Sequence, residues 1–95
     1  MLSARELEFV LFEHPAVWDV AVVNQEDSEP AVFVQPRTGQ KLDSDELALY
    51  CRTKFGEARA PKNLYVVDNM PKTKAGKISR LSLLEMIRKT PAFNY

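Results

Sequence analysis

Pro71-Lys72-Thr73-Lys74-Ala75-Gly76-Lys77-Ile78-Ser79-Arg80 gathers four cations, hydroxyl side chains and one turn-forming glycine in ten residues. Before it, Leu64 to Val67 reads as a strand. After it, Leu83, Leu84 and Ile87 recur at helical spacing from Arg80 to about Lys89, and Pro91 ends the pattern. The stretch therefore belongs to a strand-to-helix loop, Asp68 to Ala75, whose purpose is to present a cation. Lys77 is the candidate. Gly76 can take backbone angles closed to other residues, which lets a tight loop aim a long side chain outward. Pro71 stiffens the approach. Thr73 can hydrogen-bond the loop to itself or reach a substrate oxygen. The following helix N-terminus adds partial positive charge and free N–H groups. Together these features suit a phosphate or a carboxylate. The plain alternative is an exposed lysine with no task, as most lysines are.

The loop is not a nucleotide-binding P-loop. That motif needs a glycine five residues before its Gly-Lys pair and a Ser or Thr after the Lys. Pro71 and Ile78 occupy those places, so the magnesium-binding hydroxyl is missing.

Working outward, Ser3-Ala4-Arg5-Glu6 reads as a capping box for a first helix. Leu7, Val10, Leu11 and His14 share one face, and Pro15 stops the helix near Glu13 or His14. His14 at a helix end beside a proline reads as structural rather than catalytic. Val17 to Val23 and Ala31 to Gln35 read as the strands of an antiparallel hairpin, with Asn24 to Glu29 as its polar turn and Thr38-Gly39 closing the second strand. Trp18, early in the first strand, reads as a packing or partner-facing aromatic. Asp43 and Glu46 cap a second helix, and Leu42 staples to Leu47. Leu47, Tyr50, Cys51 and Phe55 line its inner face, and Gly56 ends it. A connector closed by Ala60-Pro61 leads to the third strand. The order αββαβα predicts a small α+β domain over residues 1–95, a short three-stranded sheet with helices packed on it. Phe93 and Tyr95 could dock the C-terminal tail.

The chain has 95 residues. A domain of that size buries about 60–65% of the surface of its unfolded chain, enough for one core but not for a deep enclosed active site. Net charge is zero, which argues against nucleic acid as a partner. Yet residues 1–50 carry three Lys and Arg against ten Asp and Glu, a net −7, and residues 51–95 reverse this exactly to +7. Either the halves pair across the surface, or they make an acidic face and a basic anion site. A single cysteine, Cys51, rules out an internal disulfide and a cysteine-built metal site, and on an apolar helical stripe it reads as a buried structural thiol. No apolar run reaches the length of a membrane span, and no leader is visible, so a reducing cytoplasmic location is expected.

Met70-Pro71-Lys72-Thr73-x-x-Gly76-Lys77-Ile78-x-Arg80 resembles the C-terminal motif of adenylate-forming enzymes, the superfamily of acyl- and aryl-CoA synthetases, luciferases and peptide-synthetase adenylation domains. Glu6-Leu7-Glu8-x-x-Leu11-x-x-His14-Pro15-Ala16-Val17, Ala21-Val22-Val23, Ala60-Pro61-Lys62 and Tyr65-Val66-Val67-Asp68 are similar to other blocks of the same small domain, in the same order. The resemblance implies a mobile C-terminal domain that closes over a large N-terminal adenylation domain, supplied in cis or in trans. The large domain binds ATP, with Mg2+, and a carboxylic acid. Lys77 enters the site as the acid attacks the α-phosphate. The small domain then rotates to admit a second nucleophile, the thiol of CoA in CoA ligases. Thr73, Gly76, Arg80 and Lys72 would support Lys77 by positioning the loop or touching phosphates, and no metal is expected on this domain. Peptide-synthetase domains typically carry Gly-Lys-Val-Asp-Arg at this point. Gly76-Lys77-Ile78-Ser79-Arg80 after Pro71-Lys72-Thr73 is more similar to the acyl-CoA synthetase branch.

The large domain and the hinge that should precede Leu2 are not in the sequence, so no activity is expected of these residues alone. The other reading kept open is a stand-alone or peptide-synthetase-derived interaction or regulatory module, suggested by the Met1 start and the separated charges. An exposed Lys77 flanked by small residues also suits a lysine acetyltransferase, whose product would lack the charge.

Overall fold

Val17–Gln25 (β1) and Ser28–Pro36 (β2) are apolar on both sides because helices cover both sides. The computed structural model describes residues 4–25, 28–56, 60–61 and 63–89. The elements run α1 (Ala4–Phe12), β1, β2, α2 (Ser44–Phe55), β3 (Asn63–Val66) and α3 (Arg80–Lys89), the αββαβα order the sequence predicts. The sheet order is β1-β2-β3. β1 and β2 are antiparallel, with Ala21 opposite Phe33, and β2 and β3 are parallel, with Phe33 opposite Tyr65. The result is a small α+β unit with an open, mixed three-stranded sheet.

Strand alternation sorts the core into two layers. Val20, Val22, Val32 and Val34 face Leu7 and Leu11 of α1 and Leu47 and Cys51 of α2. Ala21, Val23, Ala31 and Phe33 face Met70 and Leu83, the latter on α3. A bulge between Val17 and Asp19 interrupts the alternation. It turns Val17 into the same layer as Val20 and leaves Trp18 58% exposed, with the Arg37 guanidinium 5.4 Å above its ring. Arg37 also donates from Nε to the Pro15 carbonyl, which ties this end of the hairpin to the end of α1.

The expected polar turn at Asn24–Glu29 is shorter in the structure. Gln25 pairs with Ser28, so both strands run further than their apolar residues do. Once Val23 and Ala31 are paired and buried, the neighbouring polar backbone completes the ladder at little extra ordering cost. Ser3, half of the capping box expected for α1, lies outside the described residues, as do Phe93 and Tyr95. For α2 the cap is Asp43, whose side chain accepts from the Asp45 N–H rather than answering Glu46. Gly56 closes that helix at φ 87°.

His14 is structural. Its Nδ1 accepts from the Ala16 N–H at 3.1 Å, and its ring meets Tyr50 edge-on at 4.8 Å. Cys51 is fully buried, and burial pushes its thiol from the ordinary 9.0 up to about 11. The sign of the consequence is fixed. Stability from the protonated thiol is fully present below pH 9, where the unfolded thiol ionises, and is lost as pH rises toward 11. Chemical unfolding at stepped pH should show this alkaline decline, and Cys51→Ser should flatten it. Among the described residues no helix is long and apolar enough to cross a membrane.

Candidate functional site

The loop between β3 and α3 is a closed hairpin rather than an open strap. Lys72 bridges Ile78 in antiparallel register. The Thr73 N–H donates to the Lys77 carbonyl at 2.7 Å, and the Gly76 N–H donates to the Thr73 carbonyl at 2.9 Å. The Thr73 hydroxyl accepts from the Lys77 N–H at 3.3 Å. This is a three-residue turn, Lys74-Ala75-Gly76, with its last residue at φ 82°. Such turns place glycine there because the left-handed region is costly for other residues. A Cβ added at Gly76 would meet nothing within 4 Å, so only the backbone resists substitution. Gly76→Ala should therefore destabilise the hairpin by about 1–2 kcal/mol without a steric clash. Faster amide exchange at Thr73 and Gly76, with core amides unaffected, is the measurement.

Both limbs are tied to the body. On the first limb, Met70 is buried beside Phe33 and Leu83, and its N–H donates to Gln35 Oε1 at 2.8 Å. Lys72 forms an ion pair with Asp19 of β1 at 3.2 Å. On the second limb, Ile78 packs on the same core layer, and the Ser79 N–H donates to the Pro71 carbonyl. Ser79 caps α3, its hydroxyl accepting from the Ser82 N–H at 3.2 Å. Arg80 Nη1 donates to the Val22 carbonyl of β1 at 2.9 Å.

The five candidate residues thus divide by what holds them. Lys72 and Arg80 are engaged with β1, Thr73 and Gly76 close the turn, and Lys77 is exposed at the end of the closed turn. The Lys77 ammonium has no partner among the described residues. Sequence reasoning did not find Asp19, Gln35, Ser79 or the Val22 carbonyl. Ser79 was within reach, since a serine directly before a helical pattern is a cap signal. The other three act across the fold and leave no local trace.

The profile of the AMP-binding enzyme C-terminal domain matches residues 6–77, from α1 to the exposed lysine. The chain belongs to that family. It is 39% identical over 84 residues to the 2-succinylbenzoate–CoA ligase of Listeria monocytogenes, a match covering 84% of this chain and 18% of that protein. With the acetyl-coenzyme A synthetase of Penicillium chrysogenum the identity is 38% over 92 residues, covering 90% of this chain and 14% of the other. Among solved structures, the amide bond synthetase McbA of Marinactinospora thermotolerans superposes with a TM-score of 0.71 at 29% identity, over 87% of this chain and 18% of that one. The unliganded O-succinylbenzoate coenzyme A synthetase of Bacillus subtilis does so with a TM-score of 0.65 at 27% identity, over 88% of this chain and 17% of its own. The chain thus spans less than a fifth of the length of these relatives. It corresponds to the C-terminal domain of acyl-CoA synthetase-like, adenylate-forming enzymes.

Proposed function

We propose that this chain delivers Lys77 to an active site on a large N-terminal domain, where ATP and a carboxylic acid are joined. The observation that carries the reading is the division of labour in the loop. Lys72 and Arg80 are spent on holding it, Lys74 lies exposed within the turn, and Lys77 stands exposed where the closed turn ends. A carboxylate oxygen attacks the α-phosphorus of ATP, the bond to the bridging oxygen breaks, and pyrophosphate leaves. Both reactants are anions, and charge gathers on the phosphoryl oxygens as they meet. A positioned ammonium offsets that repulsion and keeps the groups in line. Lysine suits this because its charge is compact and its stem flexible.

The product of that step is an acyl-adenylate. Its acyl carbon must next be reached by a second nucleophile, from the side that Lys77 has closed. The small domain therefore swings away between the steps. Three of the relatives named above are CoA ligases or synthetases and one is an amide bond synthetase. With the Gly76-Lys77-Ile78-Ser79-Arg80 variant, this favours the CoA thiol as acceptor, with AMP as leaving group. A cytoplasmic location belongs to the same reading, as does loss of activity on acylation of Lys77 by an acetyltransferase.

The test is to place this chain in the position of the matching segment of the Listeria ligase and to follow exchange of labelled pyrophosphate into ATP. Exchange that depends on Lys77 supports the reading. Exchange indifferent to Lys77→Ala removes it.

A further inference from the structure

The outer edge of β1 carries the partners of both ends of the loop, Asp19 for Lys72 and the Val22 carbonyl for Arg80. β2 turns the Val34 carbonyl toward β3, where it accepts from the Val67 N–H. Val34 pairs with Val20, and Val32 with Val22. By the alternation of antiparallel pairs, Val20 and Val22 therefore point their own backbone groups away from β2, out of the sheet. Two of these outward groups have side-chain partners. The Val20 N–H donates to Asp19 Oδ1 at 3.0 Å, and the Val22 carbonyl accepts from Arg80. Asp19 has a second task, because its Oδ2 accepts from Lys72 Nζ at 3.2 Å. One limb of the hairpin is thus latched to β1 through Asp19, and the other through Arg80.

We propose that Asp19 is a positioning residue for Lys77, acting through Lys72 to hold the hairpin against the edge of β1. The inference rests on the reading of Lys77 as the delivered cation and adds what aims it. Lys72 is the register partner of Ile78, and the Thr73 N–H meets the Lys77 carbonyl, so the hairpin moves as one piece. Fixing Lys72 fixes the base from which Lys77 projects. With Lys72 released, the first limb is held only further back, at Met70, and the turn can swing about that anchor and Arg80. Lys72 is 45% exposed and Asp19 22%. A pair this open contributes little to global unfolding. Its effect is confined to the opening of the hairpin, which lies at the low end of the chain's local stabilities.

The experiment is amide exchange by NMR on the isotope-labelled full chain. The Thr73, Gly76 and Ser79 N–H groups report the hairpin, and those of Ala21 and Phe33, paired across β1 and β2, report the core. Asp19→Asn keeps an oxygen for the Val20 N–H and removes the charge. Lys72→Met removes the ammonium and leaves Asp19 intact, so it reads the same latch should Asp19→Asn disturb the strand. Each variant should speed hairpin exchange about two- to fivefold with the core unchanged. The double variant should be no worse than either single one, and Lys72→Arg should restore the native rates. Hairpin rates unmoved by Lys72→Met would overturn the proposal, as would core amides speeding up in step with the hairpin in that variant. Lys77→Ala should leave hairpin exchange as it is and act on pyrophosphate exchange alone. A wrong latch and a wrong catalytic lysine thus fail in different measurements. In the joined enzyme, Asp19→Asn should lower kcat of adenylation severalfold and leave KM for ATP near its native value.

Discussion

Lys77→Ala should slow acyl-adenylate formation by about 10²–10³-fold, the usual loss when one positioned charge-stabilising contact to a transition state is removed. The expected loss is in rate and not in folding. Lys77 is exposed and its ammonium holds nothing among the described residues, so the variant should unfold at the native denaturant concentration. The loss should also be confined to one step. On the proposed reading the lysine is out of the way when thioester forms from preformed acyl-adenylate, so that half-reaction should keep its native rate. Lys77→Arg should recover only part of the activity, because a planar guanidinium cannot take the place of a compact ammonium between two anions. Pyrophosphate exchange measures the first step, and thioester formation from added acyl-adenylate measures the second. Equal losses in both would show Lys77 to be a general structural or binding residue instead.

Phe33→Ala should destabilise the chain by about 3–5 kcal/mol. Phe33 is 1% exposed at the centre of the middle strand. It lies opposite Ala21, whose small side chain leaves room for the ring, and it stacks on Tyr65 with centroids 4.9 Å apart. Truncation leaves a cavity between the sheet and α3 that Ala21 cannot fill. A domain of this kind has about 5–15 kcal/mol in total, so the variant should be close to unfolding in water. Urea unfolding at constant m-value is the measurement. The consequence reaches the site, because Met70 and Ile78, which seat the two limbs of the loop, share this core layer. Hairpin amides in Phe33→Ala should thus lose protection together with the core, unlike the response to Lys72→Met. A loss below about 1 kcal/mol would mean that the α3 side of the sheet closes over the gap.

The elements were legible because they are written in local patterns. β-branched runs flanked by turns marked β1 and β2, and Leu47-x-x-x-Cys51 with Gly56 marked the inner face and end of α2. The bulge at Trp18 was not legible. It is an extra residue only relative to a partner strand, and nothing in Val17-Trp18-Asp19 announces where Pro36 and Gln35 will fall. The same holds for the ends of the hairpin. Asn24 to Glu29 is polar enough to read as a turn, yet pairing with β2 draws Gln25 and Ser28 into strand.

The amino-acid sequence by itself determined the candidate site, because a glycine before Lys77, a hydroxyl four residues earlier and a helix start after it are neighbours in the chain, and turn chemistry acts between neighbours. It also determined the family, through blocks whose order needs no folding to be seen. Only the tertiary structure decided which cations are committed and which is presented. Lys72, Lys77 and Arg80 look alike in the chain. They part company because β1, more than fifty residues away, offers a carboxylate to one and a carbonyl to another and leaves the third exposed. Those partners are set by sheet register and by the face on which α3 packs, and neither is encoded in any local window.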